Sequence, residues 1–271
     1  MIKVGTCGFS YDDWRGVLYP AKLPKRDFLS WYTRHFSCLE LNSSYYAIPS
    51  PALVHNLAEK TPDNFQVAVK AFRGITHDRD HDPFSDLDRF LRSIEPLRFN
   101  GKLACVLLQF PNSFHYGQPQ MDLLARMIEQ VQPSVAVVEF RHAGWMRGEV
   151  WQWLRGLEAA ICCVDEPPLE GLLPPETVMT NPKMGYVRFH GRNSEQWYDH
   201  DDPAQRYDYH YPDEQLLEWK RGILWLGEQC EKTFVTFNNH RNGQAVQNAR
   251  RMMKLLGLKM PSGGENQQSL L

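Results

Sequence analysis

The chain has 271 residues, of which 42% are hydrophobic and 23% are charged, and its formal net charge at pH 7 is −2. This composition is typical of a globular protein, and the near-neutral charge excludes the strongly basic surface that holds a nucleic acid backbone. No apolar run is long enough to cross a membrane, and the first residues predict a strand rather than a signal peptide. We therefore expect one large α/β domain or two small ones, with neither nucleic acid nor membrane as a partner.

Eight short runs of strand-forming residues recur along the chain, and each one closes on or beside a polar residue. These runs are 2–8, 38–42, 65–70, 103–110, 135–142, 160–165, 185–190 and 233–239. Helical segments are predicted after seven of the eight runs, near 28–36, 51–60, 87–94, 124–131, 150–157, 213–230 and 243–256. Between the sixth and seventh runs, five prolines argue against an ordinary helix: Pro167, Pro168, Pro174, Pro175 and Pro182.

This count and order predict a (β/α)8 TIM-type barrel, with an irregular, proline-rich connection in place of a regular helix between strands six and seven. A doubly wound sheet would need a glycine-rich phosphate-binding turn after strand one, and Gly5-x-x-Gly8 fits that turn poorly. Small residues at this position instead allow another group to approach the backbone closely. We expect residues 1–256 to form a single barrel domain and residues 257–271 to form a polar, flexible tail.

The six cysteines lie in or beside the apolar runs and have no paired CxxC spacing: Cys7, Cys38, Cys105, Cys162, Cys163 and Cys230. This pattern favours buried thiols over disulfides or metal ligands, which indicates a reducing compartment. We therefore expect a cytoplasmic protein.

The carboxyl ends of the strands meet at one face of such a barrel, and that face is where active sites lie. The side chains interpreted as pointing inward there are Thr6, Glu40, Asn42, Lys70, Gln109, Glu139, Arg141, Asp165, Arg188, His190 and Asn238. The carboxylates Glu40, Glu139 and Asp165 are balanced by the cations Lys70, Arg141 and Arg188. A divalent metal site usually has an excess of carboxylates, so we expect neither a metal nor another cofactor.

Cations and amides gathered at one face suit a small substrate with a carboxylate, a phosphate or many hydroxyl groups. Glu139 or Glu40 would act as general base and Lys70 or His190 as general acid. The other side chains predicted to point inward at this face would bind the substrate. The alternative is that Glu139 and Arg141 form ion pairs that only brace the barrel mouth.

Three further segments are weaker candidates. The segment 76–82 has the composition of a metal site without its ligand spacing, so only His77, next to strand three, joins the substrate-binding candidates. Trp197 and the tyrosines of the loop 191–212 could close over a ligand or pack in a dimer interface. The stretch 238–243 could hold an anion through Arg241 and its amides, or it could simply cap the last helix.

Several motifs occur in one order along nearly the whole chain. They include Gly5-Thr-Cys-Gly-Phe-Ser-Tyr-x-x-Trp14-Arg-Gly16, Leu39-Glu-Leu-Asn-Ser-Ser-Tyr-Tyr46, Leu108-Gln-Phe-Pro111, Val138-Glu-Phe-Arg-His142, Val187-Arg-Phe-His-Gly191 and Phe237-Asn-Asn-His240. In these motifs the chain resembles the domain of unknown function 72, or YecE-like, family. The resemblance implies a TIM-type barrel and adds His142 and Asn239 to the motif residues, with Asn239 as a substrate-binding candidate. The family is sometimes described as related to sugar isomerases, which is an analogy of fold and assigns no catalyst.

These observations favour an enzyme that transfers a proton in a small, polar, sugar-like or anionic metabolite, as in aldose–ketose isomerisation. Glu139 would be the base, with Glu40 or His190 as its partner. The alternatives are a hydrolase that pairs Glu40 with Glu139, a non-catalytic barrel that binds or senses a metabolite, and a metal-dependent nuclease. The substrate, the oligomeric state and the role of the loop 191–212 stay open.

Overall fold

Eight parallel strands form one sheet in the computed structural model, which describes residues 1–78, 82–259 and 261. The order of the strands is β1-β8-β7-β6-β5-β4-β3-β2. Their bounds are β1 (Ile2–Thr6), β2 (Cys38–Leu41), β3 (Gln66–Lys70), β4 (Leu103–Gln109), β5 (Ala136–Glu139), β6 (Ala160–Asp165), β7 (Met184–Phe189) and β8 (Lys232–Phe237). The predicted barrel is therefore confirmed.

The sheet closes where β1 meets β2, and small residues allow the two strands to approach. The amide of Gly8 donates to the carbonyl oxygen of Glu40 at 2.8 Å. A side chain at Gly5 would place its Cβ atom 2.5 Å from the carbonyl oxygen of Cys38, which is closer than real Cβ atoms come. The expected close approach at this glycine is thus present, and it serves the closure of the barrel.

Helices follow every strand except β6. They are α1 (Phe28–Tyr32), α2 (Pro51–Glu59), α3 (Arg73–Thr76), α4 (Pro83–Phe99), α5 (Gln118–Val131), α6 (Gly148–Gly156), α7 (Asp213–Gln229) and α8 (Gln244–Leu255). The connection from β6 to β7 contains no helix, as its prolines predict. None of the helices in the described part of the chain is long and apolar enough to cross a membrane.

The strand side chains divide between two cores because they alternate along each strand. One core lies between the strands and the helices. The other fills the barrel interior and includes Cys38, Ala68, Cys105, Leu107, Val137, Cys162, Val164, Tyr186 and Phe234. All six cysteines are unpaired and buried, which confirms the prediction of buried thiols. Of the predicted tail 257–271, residue 260 and residues 262–271 lie outside the described residues.

Candidate functional site

A cavity of about 590 Å³ opens at the carboxyl ends of the strands. Its walls are rich in aromatic side chains, and its cations are Lys70, Arg141 and Arg206. Among the described residues that line it, none is Asp or Glu. The aromatic residues of the lining are Phe9, Tyr11, Tyr45, Tyr46, Trp197, Tyr198 and Tyr207. The lining therefore combines positive charge with flat apolar surface, a combination that suits an anionic ligand.

Six of the residues predicted from the sequence line this cavity: Asn42, Lys70, His77, Gln109, Arg141 and Asn238. Most of them come from strand ends that lie far apart in the sequence, as expected for the carboxyl face of a barrel. The loop 191–212 contributes Trp197, Tyr198, Arg206 and Tyr207 to the lining, so this loop covers the cavity. Of its two predicted roles, the position over a ligand site is the one this lining favours.

Four other predicted residues, Glu40, Glu139, Arg188 and His190, lie below the cavity, and we call them the charged layer. Their exposed fraction is at most 1%. The guanidinium of Arg188 joins the two carboxylates, donating to Glu40 at 2.6 Å and 3.0 Å and to Glu139 at 2.5 Å. Glu40 also accepts hydrogen bonds from the hydroxyl groups of Tyr186 and Thr236, at 2.8 Å and 3.1 Å. Both carboxylates are thus saturated by buried partners.

Arg141 connects the charged layer to the cavity. Its Nε atom lies 2.6 Å from Glu139, and its Nη1 atom lies 2.9 Å from a carboxylate oxygen of Glu166. Its Nη2 atom lies 3.0 Å from Nε2 of His190. With two carboxylates around it, this guanidinium is held rigidly at the floor of the cavity.

Two of the titratable groups that contact Arg141, namely Glu139 and His190, have pKa values below their ordinary ones. Burial raises the pKa of Glu139, but Arg188, Arg141 and His190 outweigh it and hold that pKa well below the ordinary value. Burial and the charge of Arg141 lower the pKa of His190 well below its ordinary value, with Glu139 opposing. Asn238 lies 3.1 Å from Nδ1 of His190, and Nε2 faces both Glu139 at 3.1 Å and Nη2 of Arg141 at 3.0 Å. Glu139 is therefore ionised and His190 neutral.

Lys70 differs from the charged layer because its amino group faces the cavity without a partner. No described residue makes a hydrogen bond or an ion pair with its Nζ atom, which lies 4.2 Å from the ring centroid of Tyr45. Burial lowers the pKa of Lys70 to about 7, with a further contribution from Arg188 and Arg141 and opposition from Glu139 and Glu40. The amino group is thus able to hold or release a proton near neutral pH.

Two more atoms of cavity residues are buried without a hydrogen-bond partner in the described part of the chain: Oδ1 of Asn42 and Nε of Arg206. The Asn42 amide nitrogen donates to Asn238 at 3.3 Å, which leaves its oxygen unused. Arg206 contacts His200 through Nη2 at 3.1 Å and lies 5.9 Å from the ring centroids of Trp197 and Tyr207. Buried polar atoms rarely stay unpaired, so a ligand or a water molecule would complete them.

The expectation that Thr6 and Asp165 point into the barrel is wrong. The hydroxyl of Thr6 lies 2.9 Å from the hydroxyl of Tyr32 on α1, outside the sheet. Asp165 accepts hydrogen bonds at 2.6 Å from Trp219 on α7 and from Tyr211. Because side chains alternate along a strand, the residues that point inward at these two ends are the next ones, Cys7 and Glu166.

Asn239 also lies away from the cavity. Its amide nitrogen donates to the side chain of Asn248 on α8 at 2.8 Å and to the carbonyl oxygen of Tyr209 at 2.7 Å. Sequence reasoning missed Glu166, Tyr45 and Arg206 as individual members of the site. Glu166 follows Val164 by two positions and could have been found from strand alternation, whereas Arg206 lies in an irregular loop with no periodic signal.

Among the described residues, no three side chains of His, Cys, Asp or Glu are grouped so as to hold a metal ion. Residues 79–81 of the predicted loop 76–82, which follow His77, lie outside the described residues. The expectation that the protein uses neither a metal nor another cofactor therefore stays a prediction.

The fold and the cavity at its carboxyl face define the class of this protein, which is a (β/α)8 barrel with a polar site at the strand ends. A family model described as "Protein of unknown function DUF72" matches residues 3–269. The chain belongs to the DUF72 family, and the resemblance of its motifs is confirmed.

The chain is similar to two UPF0759 proteins and to a solved DUF72 family structure. The UPF0759 protein YunF of Bacillus subtilis (strain 168) is 33% identical over 275 residues, which covers 96% of either chain. The UPF0759 protein YecE of Escherichia coli (strain K12) is 32% identical over 133 residues, 48% of this chain and 47% of YecE. The crystal structure of a DUF72 family protein from Thermotoga maritima is 38% identical with a TM-score of 0.87, covering 95% of this chain and 99% of its own.

Proposed function

We propose that this protein is an enzyme that binds a small anionic metabolite in the cavity and transfers a proton through Lys70. The observation that carries the proposal is that the amino group of Lys70 has no hydrogen-bond or ion-pair partner among the described residues and lies in a cavity whose described lining has cations but no carboxylate. An anion bound there would accept a hydrogen bond from Nε of Arg206 and would face the fixed guanidinium of Arg141. Sugar phosphates and hydroxy or keto acids have this chemistry, and proton transfer next to a carbonyl group, as in an isomerisation, is a reaction they undergo.

The proposal moves the role of base from Glu139 to Lys70. Glu139 is fully buried and its oxygens contact Arg141, Arg188 and His190, so a substrate would have to displace those partners to reach it. The same burial weighs against a hydrolase built on Glu40 and Glu139, because both carboxylates bind Arg188. The unpaired thiols support a reducing compartment, and a cytoplasmic location is part of this proposal.

The first test is thermal unfolding against a panel of sugar phosphates, organic acids and uncharged sugars. A ligand at a hundred times its dissociation constant stabilises the folded state by about 2.7 kcal/mol, and we expect such shifts from anions only. Arg206→Gln should remove the shift. The matched control is Arg26→Gln, because the side chain of Arg26 is 83% exposed and lies outside the cavity lining. A shift unchanged in Arg206→Gln, or equal shifts from uncharged sugars, would reject the anion site.

The second test separates an enzyme from a barrel that only binds a metabolite. The stabilising anion is incubated with the protein in D2O, and the exchange of its carbon-bound hydrogens is followed by NMR spectroscopy. We expect exchange with the parent protein and a loss of at least about a hundredfold in Lys70→Met, as for removal of a general acid or base. Binding without any exchange would favour the sensing alternative.

A further inference from the structure

The lysines of this protein differ in what their amino groups contact. Two buried lysines are fixed by backbone carbonyl groups: Lys3 donates to Asn64 at 3.1 Å and Lys102 donates to Ala58 at 2.6 Å. Lys232, at the opposite end of the barrel, donates to the side chain of Gln66 at 2.9 Å. Lys70 alone among the lysines of the described chain lines the large cavity at the carboxyl face. Lys70 therefore differs from these lysines in its position at the cavity as well as in the charges around it.

We propose that Lys70 is a nucleophile that forms an imine with the carbonyl carbon of an anionic aldehyde or ketone bound in the cavity. This inference rests on the proposed function and deepens it, since it names the substrate class and a covalent step. Lysines that form imines are those kept unprotonated by a desolvated pocket or by neighbouring cations. Lys70 has both conditions, because Tyr45 covers its amino group and the guanidinium groups of Arg141 and Arg188 act on it.

The covalent step needs no reagent beyond the lysine and the carbonyl compound. The nitrogen lone pair of Lys70 attacks the carbonyl carbon, a C–N bond forms, and the carbonyl π electrons move to the oxygen. Two protons pass from the nitrogen to this oxygen, which leaves as water when the C–O bond breaks. Counted from the neutral amine, the products are one neutral imine and one water molecule, and a proton taken up from the solvent then gives the protonated imine, so atoms and charge balance.

The lining also explains why the carbonyl compound would be an anion. Arg206 has a buried Nε atom with no hydrogen-bond partner in the described part of the chain, and Arg141 presents a guanidinium that is fixed by two carboxylates. Both are suited to a carboxylate or phosphate group of the substrate. The protonated imine is an electron sink, so it would assist removal of a proton from the adjacent carbon, the chemistry proposed for this cavity. The water molecule released on imine formation would accept that proton, because the nitrogen of Lys70 has no free lone pair in the protonated imine.

The test is reductive trapping with glyoxylate, a small anionic aldehyde, in the presence of cyanoborohydride at pH 7. The reduced adduct adds the mass of glyoxylate less one oxygen atom, and peptide mass spectrometry locates it. The controls within the same sample are the exposed lysines Lys22 and Lys60. We expect Lys70 to be labelled about a hundredfold faster than either, because an ordinary lysine side chain is almost wholly protonated at pH 7.

Three further measurements test the labelling of Lys70: its dependence on pH, its competition by phosphate and its loss in a variant. Burial lowers the pKa of Lys70 to about 7, with a further contribution from Arg188 and Arg141 and opposition from Glu139 and Glu40, while Tyr45 adjoins the amino group. Labelling of Lys70 should therefore level off above about pH 8, whereas the reaction of an ordinary exposed lysine side chain should keep rising. Inorganic phosphate at high concentration should slow the labelling of Lys70 alone. Lys70→Arg should keep the positive charge and abolish the adduct.

Labelling of Lys70 no faster than that of Lys22 and Lys60 would overturn the inference. If anions still stabilise the protein and exchange their carbon-bound hydrogens, only the imine is rejected, and proton transfer by Lys70 stands. If anions neither stabilise the protein nor slow the labelling of Lys70, the proposed function fails together with the inference.

Discussion

The charged layer and the cavity lining lie next to each other at the same face of the barrel, yet they use charge differently. In the charged layer, Arg188 holds Glu40 and Glu139 with hydrogen bonds of 2.5–3.0 Å, and none of these side chains is more than 1% exposed. In the lining, Lys70 has no partner for its amino group among the described residues, and Arg206 leaves its Nε atom unpaired.

This difference distinguishes the polar residues that support the structure of the site from those that would bind a ligand. Charges that saturate one another contribute to a rigid floor, and their removal leaves an uncompensated buried ion. Charges that stay unpaired beside a cavity lower the free energy of unfolding, and a ligand that pairs with them raises it when it binds. Arg141 connects the two regions, since it lines the cavity and contacts Glu139 and His190 of the charged layer, together with Glu166.

The largest expected effect comes from Arg188→Met, which leaves Glu40 and Glu139 buried without their shared cation. We expect the free energy of unfolding to fall by about 3–5 kcal/mol, measured by urea denaturation. If this variant does not fold, Thr236→Val tests the same layer by removing one hydrogen bond to Glu40, with an expected loss of about 1–3 kcal/mol. A change below about 0.5 kcal/mol in both would contradict the structural role of the layer.

A smaller loss of stability, without loss of ligand binding, is expected for Asp165→Asn. The carboxylate of Asp165 accepts hydrogen bonds from Arg192, Tyr211 and Trp219 on the outer side of the sheet. Its replacement should lower the free energy of unfolding by about 2 kcal/mol. The thermal shift produced by a stabilising anion should be the same as in the parent protein, and a lost shift would return Asp165 to the substrate-binding residues.

Lys70 should make stability depend on pH in a direction that its shifted pKa fixes. Its pKa falls from 10.5 to about 7 on folding, first because of burial and then because of Arg188. Between these pH values the unfolded chain binds more protons, so the free energy of unfolding rises with pH. The stability of the parent relative to Lys70→Met should therefore increase by up to about 1 kcal/mol per pH unit above pH 7. Denaturation of both proteins at pH 7 and pH 9 measures this, and equal differences would contradict the shift.

The smallest expected change in stability belongs to Tyr46→Ala, at the rim of the cavity. Tyr46 is 76% exposed, so its truncation should alter the free energy of unfolding by less than about 0.5 kcal/mol. Since its side chain lines the cavity, the variant should still weaken binding of the stabilising anion. Isothermal titration measures this weakening, and Leu53→Ala, an exposed site on α2, is the control.

The architecture could be predicted from the sequence because each of its signals is local. The apolar runs, the helical spacing between them and the prolines between β6 and β7 each depend on neighbouring residues. The predicted strands agree with the observed ones to within a few residues at their ends, as at β2, predicted for 38–42 and observed at Cys38–Leu41. The small residues around Gly5 likewise predicted a close approach that the barrel closure uses.

The orientation of the strand ends was the weak point of the prediction. The strands of this barrel are buried on both faces, so their sequences do not alternate between apolar and polar residues, and the inward face is not marked. Thr6 and Asp165 are the polar residues at the ends of β1 and β6, which is why the sequence predicts them to point inward. Their neighbours Cys7 and Glu166 occupy those inward positions instead, one residue further along.

The eight apolar runs and their polar ends suffice to predict a (β/α)8 barrel with polar groups at the carboxyl ends of its strands. Which of those groups have hydrogen-bond or ion-pair partners is visible only in the folded chain. Glu139 and Lys70 have similar positions in the sequence, at or next to the end of an apolar run. Glu139 is surrounded by cations, whereas the amino group of Lys70 contacts the ring of Tyr45 and has no hydrogen-bond or ion-pair partner among the described residues. The physical reason is that the environment of a charge depends on residues from distant strands, which only folding brings within 3 Å of it.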